Sequence, residues 1–443
     1  MKTHLTYSNE NLFMHAVCTG KYFRHHLCTL AMGVRDLFDI ANIRQDFPVL
    51  QTGIVYLDNA SSTLTPEPVL QKMLEFYREY RANVGRGAYE FSRKSTYEYE
   101  QAREKVARFI NAKSKDEIIF TRNTTEGINI VANGLKWQEN EKIVTTLLEH
   151  HSNFIVWLRV KQRHGVEVNV VKPRDLLENG ILDPTEFEKV VDDKTKIVAI
   201  THISNVFGAV EPVERITQIA HEHGAYVVID AAQSVPHVRV DVQRIGCDFL
   251  AFSGHKMCAP TGCGVLYIRQ ELLEQVEPSY IGGGTIVDVD VDDYTLEKGP
   301  ARFETGTPAI AEALGLGSAI TYLNEIGIEN IENYEKHLSV KLCKGLNQIP
   351  GVTTYGSKIE NRVSLLCFNI NGLHPREVAL ELDKSARIMV RAGHHCALPL
   401  IKRIAGKAGT VRASAYFYNT IEEIEELIRE VEQIARAHKP SMN

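Results

Sequence analysis

Seven short apolar runs punctuate the middle of this chain: EIIFT (117–121), KIVTT (142–146), EVNVV (167–171), KIVAITHIS (196–204), AYVVID (225–230), FLAFSGH (249–255) and GVLYI (264–268). Each is rich in Ile, Val or Phe, is too short for a stable helix, and lacks strict apolar–polar alternation. Such runs are strands buried on both faces, the kind found in mostly parallel sheets covered by helices. Between two of them, VERITQIAHEHG (213–224) has helical period and ends at Gly224, a common helix stop. The pattern predicts an α/β architecture. In such sheets ligands sit beyond the carboxyl ends of the strands, so functional residues are sought there.

The flanks read differently. From Thr65 a helix is expected with Val69, Met73, Phe76, Tyr77 and Tyr80 on one face, followed by another around Tyr99–Asn111. After about Gly315 the segments VSLLCFNI, PREVALELDK, ARIMV, TVRASAYFY and TIEEIEELIREVEQIARAHK predict a smaller α+β domain. The chain of 443 residues therefore divides into a poorly ordered extension (1–38), a large domain (39–315) and a small C-terminal domain (316–443). The GGG at 282–284 reads as a flexible loop. A net charge of −6 gives no reason to expect a nucleic-acid or anionic-membrane surface, and no apolar run reaches the ~18 residues of a membrane helix. Eight cysteines without framework spacing fit a reducing compartment, with the cytoplasm as default.

Four strand ends carry groups that a purely structural sheet does not need. Asp230 follows a buried run, with Gln233 three residues on; as an alternative, Asp230 could cap the next helix. Ser253, His255 and Lys256 follow another run, and a lysine there is either a surface charge or a desolvated amine suited to nucleophilic work. Thr124 and Thr125 stand where a strand hands over to a helix, either as simple caps or as part of a phosphate cup. His150 could lie on a flat ligand or be a satisfied core histidine. Together these groups meet the needs of pyridoxal phosphate: an imine lysine, a carboxylate for the pyridine nitrogen, a phosphate cup and a stacked ring.

RAGHHCALPL adds Arg391, His394, His395 and Cys396 within six positions. The thiol can be structural, a metal ligand or a reactive thiolate. Metal is the weakest reading, because three consecutive side chains do not easily converge on one ion, and Cys258 with Cys263 has no second ligand pair nearby.

The set TTEGIN, THISN, DAAQS, SGHK, RFETGTP and RAGHHCA, in this order within a match from about Asp39 to about Lys439, resembles the class V aminotransferase-fold cysteine desulfurases, in particular the group serving SUF iron–sulfur assembly that includes selenocysteine lyases. The resemblance implies the type I fold of pyridoxal-phosphate transferases. It implies that Lys256 binds the cofactor covalently, Asp230 pairs with the pyridine nitrogen, Gln233 contacts the phenolic oxygen and His150 stacks on the ring. Asn205 lies beside the cofactor; Thr124, Thr125, Ser253 and His255 form the phosphate site, and Thr307 is supplied by the second subunit of a homodimer. Arg412 and Arg391 take the substrate carboxylate. Cys396 becomes the persulfide-forming nucleophile that converts L-cysteine to L-alanine and feeds a sulfur-acceptor protein of iron–sulfur assembly. Selenocysteine lyase, or another lyase or epimerase of the class, is the alternative.

Overall fold

A computed structural model describes residues 39–176, 180–356, 358 and 360–438; the predicted extension 1–38 lies outside the described residues. After a two-residue strand, β1 (Val55–Tyr56), come β2 (Ile118–Thr121), β3 (Lys142–Thr146), β4 (Glu167–Val171), β5 (Thr195–Thr201), β6 (Tyr226–Asp230), β7 (Phe249–Ser253) and β8 (Gly264–Ile268). The last seven form one sheet in the order β2-β8-β7-β6-β5-β3-β4. Its neighbours are parallel except at β8, which runs antiparallel to both β2 and β7. Only residues 254–263 separate β7 from β8. That is too short for a crossover helix, so the chain must turn back. Lys256 sits in this short connection. Where β8 begins, a Cβ on Gly264 would lie 2.6 Å from Asn123 Cα and 2.8 Å from Phe252 O, so the strand can pass there only as glycine.

Ile143, Val144, Ile197, Val198, Ile200, Val227, Ile229, Phe249 and Leu250 are shielded from solvent, as expected for strands covered on both faces. The helix Val213–Glu222 ends with Gly224 in the left-handed region, at φ 73°. The first predicted helix departs from expectation. It is α-helical over Glu67–Glu75 and then widens to a π-turn over Phe76–Tyr80. The wider turn shifts the face: Phe76 and Tyr80 are buried but Tyr77 is exposed.

Strands β9 (Ile286–Val289) and β10 (Tyr294–Leu296) form an antiparallel hairpin. The glycine run before it is tied down, with Gly306 N–H donating to Gly283 O at 2.7 Å. Further on, β11 (Val352–Tyr355), β12 (Leu365–Ile370), β14 (Arg391–Gly393) and β15 (Thr410–Ser414) make a second, antiparallel sheet in the order β11-β12-β15-β14. The short β13 (Ile388–Met389) instead pairs in parallel with β1. Residues 44–59 thus join elements more than 300 positions later: Arg44 donates to Tyr418 O at 2.6 Å, and Phe47 packs on the rings of Phe417 and Tyr418.

The edge strand β2 is sealed by a buried ion pair. Arg103 grips both oxygens of Glu304, at 2.6 and 2.9 Å, and donates to Ile118 O at 2.7 Å. The same carboxylate accepts from Phe120 N–H at 2.7 Å and from the Tyr99 hydroxyl at 2.9 Å. One side chain therefore satisfies donors on an edge that would otherwise invite foreign strands. Glu304→Ala removes the main partner of the buried guanidinium, leaving it only Glu100 at 3.3 Å, and should lower unfolding free energy by about 3 kcal/mol, the low end for breaking a buried ion pair, in chemical denaturation; a loss under about 1 kcal/mol would contradict this role.

Candidate active site

Because β3, β5, β6 and β7 are parallel, their carboxyl ends open on one side of the sheet. A cavity of about 620 Å³ lies there, lined from that side by Thr201, Asp230, Ser253 and Lys256, and from the opposite side by Arg391, Cys396 and Arg412. Asp230 is buried, and its carboxylate accepts from Ala232 N–H at 3.0 Å, closing a turn; no helix starts there. Burial pushes its pKa up, against the pull of that N–H and of Lys256. Lys256 is partly exposed, on the cavity it lines. Desolvation brings its amine down to about 8, with Asp230 opposing and Arg412 reinforcing the shift.

Gln233 donates to Ala60 O at 2.7 Å, while its buried Oε1 has no partner among the described residues. His150 is a neutral imidazole: burial, then Lys256, hold its pKa at about 3. Its Nδ1 accepts from Ser152 N–H at 3.2 Å, and the Ser152 hydroxyl meets that of Thr125 at 2.6 Å. The helix Thr124–Gly134 is capped by Asn123, whose side chain accepts from Glu126 N–H at 3.0 Å, so neither threonine serves as the cap. Thr124 instead bonds Ser253 through both its N–H (2.9 Å) and its hydroxyl (2.7 Å), which joins the helix start to the end of β7. His255 lines the same cavity and is likewise kept neutral, at about 4, by burial and by Lys256.

Asn205 donates to His395 O at 2.7 Å, and its own carbonyl accepts from Arg412 at 3.1 Å. Arg412 is buried and also donates to Ser61 Oγ at 2.8 Å. Asp58 lies between the two arginines, receiving Arg391 at 2.7 Å and Arg412 at 3.5 Å. Cys396 is exposed, whereas Cys247, Cys258, Cys263, Cys343 and Cys367 are buried. Thr307 is not in this cavity; it lines a separate cleft with Arg122, Tyr280 and Glu304. Asp58, Ser61, His151 and Ser152 were not picked out as site residues from the sequence. Asp58 had a usable signal, since IVYLD (54–58) is one more apolar run ending in a carboxylate.

Comparison with known proteins matches residues 55–427 to the aminotransferase class-V family. The chain belongs to that family. It is 48% identical over 397 residues to a probable cysteine desulfurase of Methanothermobacter thermautotrophicus, covering 89% of this chain and 98% of the relative. Among solved structures it resembles the apo cysteine desulfurase of Thermococcus onnurineus NA1, with TM-score 0.86, 43% identity and coverage of 90% and 98%. It also resembles a C-DES variant that carries glycine linked covalently to its pyridoxal phosphate, with TM-score 0.77, 25% identity and coverage of 88% and 98%. The fold is that of the class V aminotransferases.

The residues present fit this family's cofactor. A buried carboxylate, a depressed lysine amine, an orphaned amide oxygen on Gln233 and a flat neutral imidazole face one cavity whose end holds a helix start and two hydroxyls. Such a lysine should stand apart from the surface amines. When the cofactor-free protein is treated with an aromatic aldehyde and borohydride, modification of Lys256 should be half-maximal near pH 8. Surface lysines should lag toward about 10.4, the unperturbed value. Peptide mapping that finds Lys256 no more reactive than surface lysines would refute the depression.

Proposed function

We propose that the protein is a pyridoxal-phosphate-dependent cysteine desulfurase, converting L-cysteine to L-alanine with the sulfur held as a persulfide on Cys396. The observation that carries this reading is the position of Cys396: the exposed cysteine lines the same cavity as Lys256 and Asp230. In this reading Arg412 and Arg391 receive the substrate carboxylate, a planar task suited to paired guanidinium donors. Lys256 anchors the cofactor and then, as a free amine, carries the proton of the substrate α-carbon. Asp230 keeps the pyridine nitrogen protonated, and His150 packs on the ring without adding charge. When bound, the cofactor supplies a sink for the electron pair released at the α-carbon. The Cys396 thiolate attacks the substrate sulfur; an S–S bond forms as the carbon–sulfur bond breaks, and reprotonation of the remaining carbon skeleton leads to alanine.

The persulfide sulfur then passes to an acceptor protein of iron–sulfur cluster assembly in the cytoplasm. Scattered free cysteines among the described residues support that setting. Among the described residues no helix is long and apolar enough to cross a membrane. Two observations support a homodimer. Thr307 lies outside its own subunit's cavity. In addition, Tyr280, Ile281, Val287, Val289, Val291 and Tyr294 expose apolar surface on and beside the β9–β10 hairpin, more than a solvated loop requires.

Cys396→Ser should retain cofactor absorbance and cysteine binding yet release alanine from cysteine at least ~100-fold more slowly, because a hydroxyl is a poor nucleophile toward sulfur. Mass spectrometry of the wild type should find one added sulfur on the Cys396 peptide. Wild-type turnover by the variant would make the thiol structural. The homodimer predicts that sedimentation finds two-subunit particles at assay concentrations; a fully active monomer would remove Thr307 from the site.

A further inference from the structure

The turn that presents Cys396 is held in an unfavourable conformation. His395 and Cys396 have φ of 51° and 55°, and Ala397 N–H closes on His394 O at 2.8 Å. Two consecutive left-handed residues inside a closed four-residue turn are the pattern of a type I′ turn, where glycine and asparagine are preferred. For side chains such as histidine and cysteine this region is sterically disfavoured, because Cβ crowds the neighbouring carbonyl oxygen. Such a conformation persists only where its surroundings enforce it.

Much of that enforcement comes from one residue. His151 donates its backbone N–H to Cys396 O at 2.7 Å, and its Nε2 accepts the N–H of Leu398 at 3.0 Å. The two bonds grip the chain at the nucleophile and two residues beyond it. Asn205 holds the preceding carbonyl, that of His395. His151 directly follows His150, which lines the cavity beside Lys256. To accept at Nε2 the imidazole must be neutral with its proton on Nδ1, and partial burial together with nearby His394 lowers its pKa in that direction.

We infer that His151 is a positioning residue: by clamping the His394–Leu398 turn it fixes the Cys396 thiol relative to the cofactor-facing His150. This rests on the reading of Cys396 as the sulfur-accepting nucleophile. The clamp itself is a property of the loop and can be measured without turnover. His151 moves no proton to or from substrate; its effect is to keep the thiol in line, where misplacement by about 1 Å can cost up to about 100-fold in rate.

The test compares His151→Leu, which deletes the acceptor, with His151→Gln, whose Oε1 can replace Nε2. In the cofactor-loaded enzyme His151→Leu should lower kcat for alanine release about 10- to 100-fold, with KM for cysteine and the cofactor spectrum changed by less than about 2-fold, and His151→Gln should recover most of the loss. Hydrogen exchange over the 394–400 peptide should rise in the leucine variant and return toward wild type in the glutamine variant. In the wild type that peptide should be protected despite the exposed thiol. Unprotected exchange in the wild type, or wild-type kcat and exchange in His151→Leu, would overturn the inference. A wild type that releases no alanine but shows the protected, His151-dependent loop would instead refute the desulfurase reading and leave the clamp standing.

Discussion

Desolvation at the carboxyl ends of the parallel strands is the constraint on which the rest of the site depends. Asp230 and Lys256 cannot both lose water without compensation, and each shifts toward its neutral form while the other pulls it back. A buried carboxylate that remains available for a cationic ring nitrogen, opposite an amine near neutrality, is costly as an isolated arrangement and useful as a cofactor site. The neutral imidazoles of His150 and His255 belong to the same economy of charge. Beside Lys256, protonated rings would repel the amine further, and burial keeps both uncharged.

A second constraint is that the two walls of the cavity come from distant parts of the chain. The cofactor-facing groups end strands of the seven-stranded sheet, whereas Arg391, Cys396 and Arg412 belong to the four-stranded sheet and its loop. The segment 44–59 joins the walls. It pairs with β13 and bonds to β15, and it delivers Asp58, with Ser61 just beyond it, to the arginines. Asp58 offsets one of the two positive charges that Arg391 and Arg412 bring together. A substrate carboxylate would therefore meet oriented donors whose charge is already partly balanced. The nucleophile loop is tied to the opposite wall by Asn205 and His151. Thiol and lysine are thus held across the gap by hydrogen bonds between loops, beside a small apolar cluster in which Ile203 packs with Val363 and Leu365.

The sheet was legible in the sequence for a simple reason: strands buried on both faces must be apolar at nearly every position, and five to seven such residues in a row leave few alternatives. The polar residues that end those runs stood out against this background, which is why Asp230, Lys256 and Ser253 could be named from the pattern, whereas Asn205 was implied only by the family resemblance. One local expectation, and one alternative reading, failed where geometry departs from the regular period. A π-turn turned Tyr77 outward, and an Asx-type turn took the place of a helix after Asp230. Asp58 passed unnoticed because its run, though of the same type, forms only a two-residue strand against β13 and lies outside the large sheet.

What the sequence determined by itself was therefore chemistry and layer order: which residue types stand at strand ends, and that helices cover both faces of the sheet. Apolar period and residue identity are local properties, and they are written in the chain directly. Only the tertiary structure decided that β8 reverses, that residues 44–59 cross to the far sheet, and that His151 grips the turn at Cys396. Each of those is a contact between segments separated by a turn or by hundreds of residues. Its free energy depends on distance and orientation in space, and neither quantity leaves a period or a motif in the sequence.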